Sequence, residues 1–536
     1  MKRLSALGAN KLKFTEVNNP SLPDFLLHDI QGYEHSFPTG KATLLCFVKE
    51  DCPTCNLVFP IIDELSKNDS IQVFALGQTT DGNHLLAKRF QPKAPILDDS
   101  ILKVSFAYDV ETVPLLILSD SKGSEADRLV GFDRNEWQTF FSRHFPTTSV
   151  SWSELPEWQP GCGSLTQDPV IGERLRAESE NSPIRARRIE IGAQDDVHEF
   201  MFDQGFTDGL PVVPPTPDRV VRMLQGTRRD PHDIVAMVPP NLAPATVEKV
   251  AINAVLAGCK SEFLPVVIAA LEAVCTEEFN GHGVFATTMG ASPVMVVNGP
   301  IRHKLNMQMG MSALGQGNRA NAAIGRALRL AIRNIGGARP GGTERSTFGN
   351  PMKFTMCFAE WEERSPWTPL HVERGFDASD SVVTLFAMSG GPTLIVDQSS
   401  HNGRHLANSF GLSLRAQHHV RSHRTGDALL VVSPEHGDTF KQNSWTKKEV
   451  RNQIQVASAV PLAELVESDE HAVGIPRGNV ANMSEEELKQ PIPKFASSDR
   501  IHIVLAGSEA GMFTAAFHGW ASGPMGSIPT SRKIED

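Results

Sequence analysis

A chain of 536 residues is too long for one hydrophobic core and, at roughly 150 residues per domain, calls for about three domains. Its net charge of −11 argues against sequence-blind nucleic-acid binding, which rests on neutralising phosphates, while leaving room for a small anionic ligand. No apolar run approaches the roughly 18 residues of a membrane span, and seven scattered cysteines fit a reducing cytoplasm better than a disulfide framework.

At the start, Met1–Asn10 is basic but lacks an apolar stretch, so no signal peptide is expected. Thr43–Val48 reads as a buried strand. Asn56–Leu65 reads as a helix, with Leu57, Val58, Ile61, Ile62 and Leu65 at helical spacing. Between them stands Cys52-Pro53-Thr54-Cys55. Two thiols two residues apart at a helix start make a redox pair, because the positive helix end favours a Cys52 thiolate. The other use of such a pair is half of a zinc site, which needs a second pair nearby, and the next cysteine is Cys162. Cys46, inside the strand, is expected to be a packing residue.

Further landmarks follow in order. Pro60 lies five residues past Cys55, Ile71–Leu76 is a second strand, and Thr112-Val113-Pro114 precedes a third, Leu115–Leu118. Leu129–Phe132 and a helix from Asn135 to Phe141 close the segment. Residues 23 to 145 thereby resemble the thioredoxin family. The resemblance implies a cis Pro114 facing the cysteines, a Cys52 that attacks a disulfide and a Cys55 that resolves it.

Residues 146 to 168 are a proline- and serine-rich connector, within which Cys162 stands between two glycines in Gly161-Cys162-Gly163-Ser164-Leu165. It reads either as an incidental turn cysteine or as an exposed nucleophile or ligand. The charged run 173 to 196 reads as a solvated helix and linker. From about residue 197 the pattern is α/β. Helices are expected from Pro217 to Leu224, from near Pro244 to Gly258, from Pro265 to Val274, and after Gly315-Gln-Gly-Asn318 as far as Ile335. Strands are expected at Pro293–Val297, Thr393–Val396, Ala428–Val432 and Ile501–Leu505, each ending in a polar or glycine-containing turn of the kind that lines a ligand crevice.

Four stretches, Gly205–Thr216, Ala245–Ala254, Gly317–Asn321 with Ile324–Ala327, and Ser365–Arg374, resemble the UGSC-type family, over about residues 150 to 536. That family is named for a selenocysteine-Gly-Ser-Cys motif and is related to the selenoprotein B component of glycine, sarcosine and betaine reductases. Cys162-Gly163-Ser164 would occupy the motif, but Leu165 stands where its last cysteine belongs. A modified Cys162 then has no resolving thiol three residues on, and the Cys52/Cys55 dithiol could supply one. The reaction class implied by the resemblance is reductive cleavage of a carbon–heteroatom bond.

Other polar groups have both a functional and an ordinary reading. Cys259 precedes Lys260, which could lower its pKa, yet reads better as core. His282 could donate a proton or bind metal, or be a loop histidine without a role. Asn318, Arg319 and Arg326 at a glycine-rich helix start could hold an anion. Glu248 lies off its helix's apolar stripe, and His371 lies beside Glu373 and Arg374. Cys259, His282, His371 and His436 are candidates for a metal ion, without the spacing of a known site. Cys275 and Cys357 read as core.

The sequence thus predicts an α/β protein: a thioredoxin-like domain (1–147), a connector with the Cys-Gly-Ser motif (148–196) and a larger α/β substrate domain with mixed or parallel sheets (197–536), with room for two subdomains. The predicted function is a cytoplasmic thiol oxidoreductase. Its catalytic set is Cys52, Cys55, Cys162, Pro114 and His282, and its substrate-binding set is Glu248, Asn318, Arg319, Arg326 and His371. No resident cofactor is expected beyond the redox-active disulfide, with a metal ion as an open addition. The expected partners are a small-molecule substrate and an external thiol reductant or thioredoxin reductase, without nucleic acid or membrane; a homodimer is left open. The alternatives are a carrier of thiophilic metals or organometals, and a disulfide reductase whose large domain selects a protein partner.

Overall fold

The computed structural model describes residues 21–536 apart from 69, 180, 181, 193, 522, 524, 525 and 536. Met1–Asn10, and with it the expectation about a signal peptide, lies outside the described residues, as does Glu180 of the charged run. The chain divides into two compact units, Met1–Ile189 and Glu190–Asp536. Among the described residues no helix is long and apolar enough to cross a membrane.

The first unit is built on a five-stranded mixed sheet. Its order is Ile96–Asp98, Ile71–Gly77, Ala42–Val48, Leu115–Ser119, Glu125–Val130. The first three run parallel, and the last two join antiparallel. Ala42–Val48 is apolar on both faces because both are covered. Leu45 and Phe47 pack with Phe59, Leu86 and Tyr108 on one side. Leu44 and Cys46 pack with Val58, Ile62, Trp137 and Phe141 on the other. Burial pushes the Cys46 thiol up, as expected of a packing cysteine.

The helix after the central strand starts earlier than its apolar spacing indicates, at Pro53, and runs to Leu65. Pro53 occupies the first helical position, where its missing N–H costs nothing. The closing helix likewise extends past its apolar stripe, over Arg134–His144, capped by Asp133.

The second unit carries a seven-stranded mixed sheet. The path is Cys357–Ala359, Ser292–Asn298, Val382–Val396, Phe513–Gly519, Ala428–Val432, Ile501–Leu505, with Thr530–Lys533 also paired to Val382–Leu385. Again both faces are buried. Ala428, Leu430 and Val432 meet the helices Gly403–Arg415 and Lys447–Ser458 through Leu406, Phe410 and Ile454. Leu429 and Val431 point the other way, among Val296, Phe358, Phe386 and Phe517. The expected strand Thr393–Val396 is the end of a 15-residue strand from Val382, whose pairing with Phe513–Gly519 shifts register between Met388 and Thr393. Gly390, Gly391 and Pro392 sit in that irregular stretch, so period-2 patterning breaks there and the strand's first half is hidden from it.

Candidate active site

Cys52 is the N-cap of the Pro53–Leu65 helix, and its sulfur accepts the Cys55 N–H at 3.3 Å. Cys55 lies one turn inward and accepts the Lys49 N–H at 3.4 Å. Both cysteines are fully buried. Opposite stands the peptide Thr112-Val113-Pro114, cis between Val113 and Pro114. Cys52 Sγ is 3.5 Å from Val113 O.

The connector does not stay apart from this centre. Cys162–Gly163 forms a two-residue antiparallel strand with Thr112–Val113, in the register Cys162 to Val113 and Gly163 to Thr112. Cys162 is half-buried and packs against the cluster that holds Cys52 and Cys55. Its thiol lies near enough to Cys52 for each sulfur to shift the other's proton affinity. Cys162, far along the chain from Cys52 and Cys55, thus meets that pair within one unit.

Their proton affinities are unequal, and each inequality has a cause. Donation from the Cys55 thiol is the largest effect on Cys52; it outweighs burial and, with donation from Cys162 and the N–H groups of Cys55 and Thr54, lowers Cys52 to about 5. Burial, and then the neighbouring Cys52 charge, push Cys55 far up. Burial, and then Cys52, push Cys162 up to about 11, against the pull of the Lys49 ammonium. Cys162 is thus half-buried rather than exposed, and its thiol must give up its proton before it can act as a nucleophile. In the reduced protein Cys52 is the thiolate, and Cys162 is a protonated thiol near it.

Ultraviolet absorbance of the thiolate should rise as pH passes about 5 and stay level from about 6.5 to 8; a midpoint at 8 or above would contradict this charge assignment. Because the folded pKa is depressed, the thiolate also stabilises the fold. That contribution is full above the unfolded value of about 8.5 and is lost as pH falls through about 5.

Sequence reasoning missed three residues here. The Lys49 ammonium donates to Gly163 O at 3.3 Å. Thr54 Oγ1 donates to Pro160 O at 2.5 Å. Gln78 is 1% exposed and uses both ends of its amide: Nε2 donates to Ser164 Oγ at 2.7 Å, and Oε1 accepts the Leu165 N–H at 3.0 Å. Gln78 directly follows the strand Ile71–Gly77, and that strand-end position was the available signal.

The remaining sequence candidates lie in the second unit. Asn318 caps the helix Arg319–Asn334, accepting the Asn321 N–H and donating to Asn306 O. Arg319 donates to Gly258 O at 2.9 Å. Arg326 holds Asp208 in a two-bond fork at 2.9 and 2.7 Å; burial raises the Asp208 pKa, and the guanidinium more than offsets this. Glu248 is buried on Val247–Leu256, and His282 is exposed on the short helix Gly281–Ala286. His371 is fully buried, with Nδ1 3.9 Å from Glu362. His436 is buried between Thr514 Oγ1 and Asp397 O. Burial pushes Cys259 and Cys275 up to about 12, and Cys357 further.

Among the described residues no three His, Cys, Asp or Glu side chains gather where they could hold a metal ion. A crevice of about 240 Å³ opens at the ends of the parallel strands Ala428–Val432 and Ile501–Leu505, lined in part by Ser312, Gly315, Ser433, Gly507 and Ser508. None of the predicted substrate-binding residues is among its lining residues.

No protein-family model matches the chain, and no curated protein does. Among solved structures it is similar to StoA from Bacillus subtilis (24% identity, 23% of this chain and 99% of that one, TM-score 0.20). It is also similar to the exposed lipoprotein thioredoxin Etrx1 of Streptococcus pneumoniae (24% identity, 22% and 99%, TM-score 0.21). A secreted disulfide oxidoreductase of Mycobacterium tuberculosis is similar too (16% identity, 24% and 90%, TM-score 0.20). The first unit has the thioredoxin-like fold, with paired cysteines at a helix start.

Proposed function

We propose that the chain is a thiol-dependent oxidoreductase in which Cys162 takes up a sulfur-reactive small molecule and the Cys52/Cys55 pair frees it. The observation that carries this reading is the pairing of Cys162 with Val113, whose carbonyl is 3.5 Å from Cys52 Sγ, so that Cys162 packs on the cluster holding both cysteines. The adduct is a mixed disulfide, a persulfide or a sulfenic acid on Cys162, formed when the Cys162 thiol gives up its proton and attacks a small disulfide, a sulfane-sulfur donor or a peroxide, whose S–S or O–O bond breaks and whose other half leaves as a thiolate or hydroxide. The Cys52 thiolate attacks Cys162 Sγ. A Cys52–Cys162 bond forms, and the bond to the outer group breaks, its electron pair leaving on a thiolate, hydrosulfide or hydroxide that takes a proton from water. Cys55 then gives up its proton and attacks Cys52 Sγ. A Cys52–Cys55 disulfide forms, and Cys162 departs as a thiolate beside Lys49 and is reprotonated. Two electrons have passed from the dithiol to the adduct. An external thiol reductant in a reducing compartment restores the pair.

The larger unit carries a candidate small-molecule pocket of its own, the strand-end crevice. The finer reaction class, reductive carbon–heteroatom cleavage or sulfur transfer, rests on the resemblance of residues 150–536 to the UGSC-type family alone. The test of the thiol chemistry is to treat reduced protein with one equivalent of oxidised glutathione and follow the products by mass spectrometry. A glutathione adduct on Cys162 that resolves into free Cys162 and a Cys52–Cys55 disulfide supports the reading. A lasting Cys162 adduct beside a reduced dithiol overturns it.

A further inference from the structure

Residues 158–166 lie along the redox centre as a strap, extended as far as Ser164 and then entering the short 3-10 turn Leu165–Gln167, and held at almost every step. Trp158 and Gln159 pair with Asp133 and Phe132. Pro160 O accepts from Thr54, and Gly163 O accepts from Lys49. Cys162 and Gly163 pair with Val113 and Thr112, and the Ser164 N–H donates to Glu111 O at 2.9 Å. Thr166 Oγ1 donates to Val110 O at 2.5 Å. Gln78 clamps Ser164 and Leu165. Most of these contacts are to main-chain atoms, as when an extended peptide adds a strand to an exposed edge, with one side chain read in a pocket. Here the side chain so read is Cys162, and beneath it Cys52 has no exposed surface.

We infer that residues 158–166 are a tethered substrate strand, which dedicates the Cys52/Cys55 pair to Cys162 and closes it to disulfides carried by other proteins. The inference rests on the redox role proposed above and adds its specificity. A tethered strand competes at an effective concentration of about 1 mM, so a protein disulfide at about 0.1 mM is outcompeted about tenfold. Gln78 is a positioning residue in this scheme. It touches neither sulfur and fixes the register that sets Cys162 over Cys52.

The test is reduction of insulin by the full chain with dithiothreitol as electron source, at about 0.1 mM insulin. Cys52 would attack an insulin disulfide, Cys55 would resolve it, and dithiothreitol would reduce the Cys52–Cys55 disulfide. Two substitutions release the strap. In Gly161→Val the added Cβ falls on the Thr112 side chain and 2.8 Å from Val113 O, and Gln78→Ala removes the clamp. Both variants are expected to reduce insulin about tenfold faster than the unaltered chain; equal rates overturn the inference. Alkylation and intact-mass measurement of the unaltered chain, after equilibration with oxidised dithiothreitol, keeps the two claims apart. If the Cys52–Cys55 disulfide forms but the variants gain nothing, only the strap fails. If no disulfide forms, the redox role itself fails. Should the variants not fold, hydrogen exchange on the unaltered chain decides: slow exchange at Cys162 and Ser164 supports a bound strap, and unprotected exchange overturns it.

Discussion

Replacing Cys52 by serine should leave a glutathione adduct on Cys162 standing, with its clearance slowed at least about a thousandfold. The magnitude follows from the charge distribution. With a pKa of about 5, Cys52 is almost wholly thiolate at neutral pH. Serine provides no comparable nucleophile. The remaining neighbour, Cys55, is buried and pushed far up, so its thiolate is scarce. Stopped-flow release of glutathione from preloaded protein measures the effect. A Cys52→Ser variant that clears Cys162 within tenfold of the unaltered rate would remove Cys52 from the proposed mechanism.

The second large effect concerns the frame behind that centre. Trp137 is fully buried, packs between Phe132 and Phe141, and donates its indole N–H to Gly131 O at 3.1 Å. Gly131 in turn donates to Pro114 O at 2.8 Å, so the tryptophan supports the loop on which Cys162 is paired. Trp137→Ala is expected to cost about 4 kcal/mol, from lost burial, the cavity left behind and an unpaired carbonyl. Labelling of Cys46 reports it, because this thiol reacts only when its unit opens. Denaturant titration with Cys46 labelling should show that loss. A change below about 1 kcal/mol would mean that the indole does not hold the frame.

What the sequence revealed and what it hid divide along physical lines. The cysteine pair, its flanking strand and helix, Pro60 and Thr112-Val113-Pro114 were legible because each is set by local spacing or by proline stereochemistry. Thr43–Val48 was legible as a buried strand and Ala428–Val432 as a short apolar one, because each is a largely apolar run. Cys162 stood out for its glycines, but its partner did not. The strand it joins is two residues long, pairs across about fifty residues of chain and has no periodicity to betray it. Hence a segment that reads as connector is built onto the thioredoxin-like fold. Gln78 and Lys49 were hidden for the same reason, since their roles exist only once the strap is in place. In the second unit the polar residues chosen for ligand contact include Asn318, a helix cap, and Arg326, the partner of Asp208. Glycine-rich helix starts and arginines recur in frameworks as readily as in ligand sites, so their residue types could not separate the two uses.

In the proposed cycle Cys52 and Cys162 exchange a disulfide within the same chain. Cys55→Ser removes the thiol that would resolve it. That variant, oxidised mildly, digested without reductant and read by mass spectrometry, should yield a Cys52–Cys162 crosslinked peptide as the main oxidised species, on monomeric protein. Recovery of Cys162 freely alkylated, with Cys52 oxidised alone or bound to an outside thiol, would contradict the account.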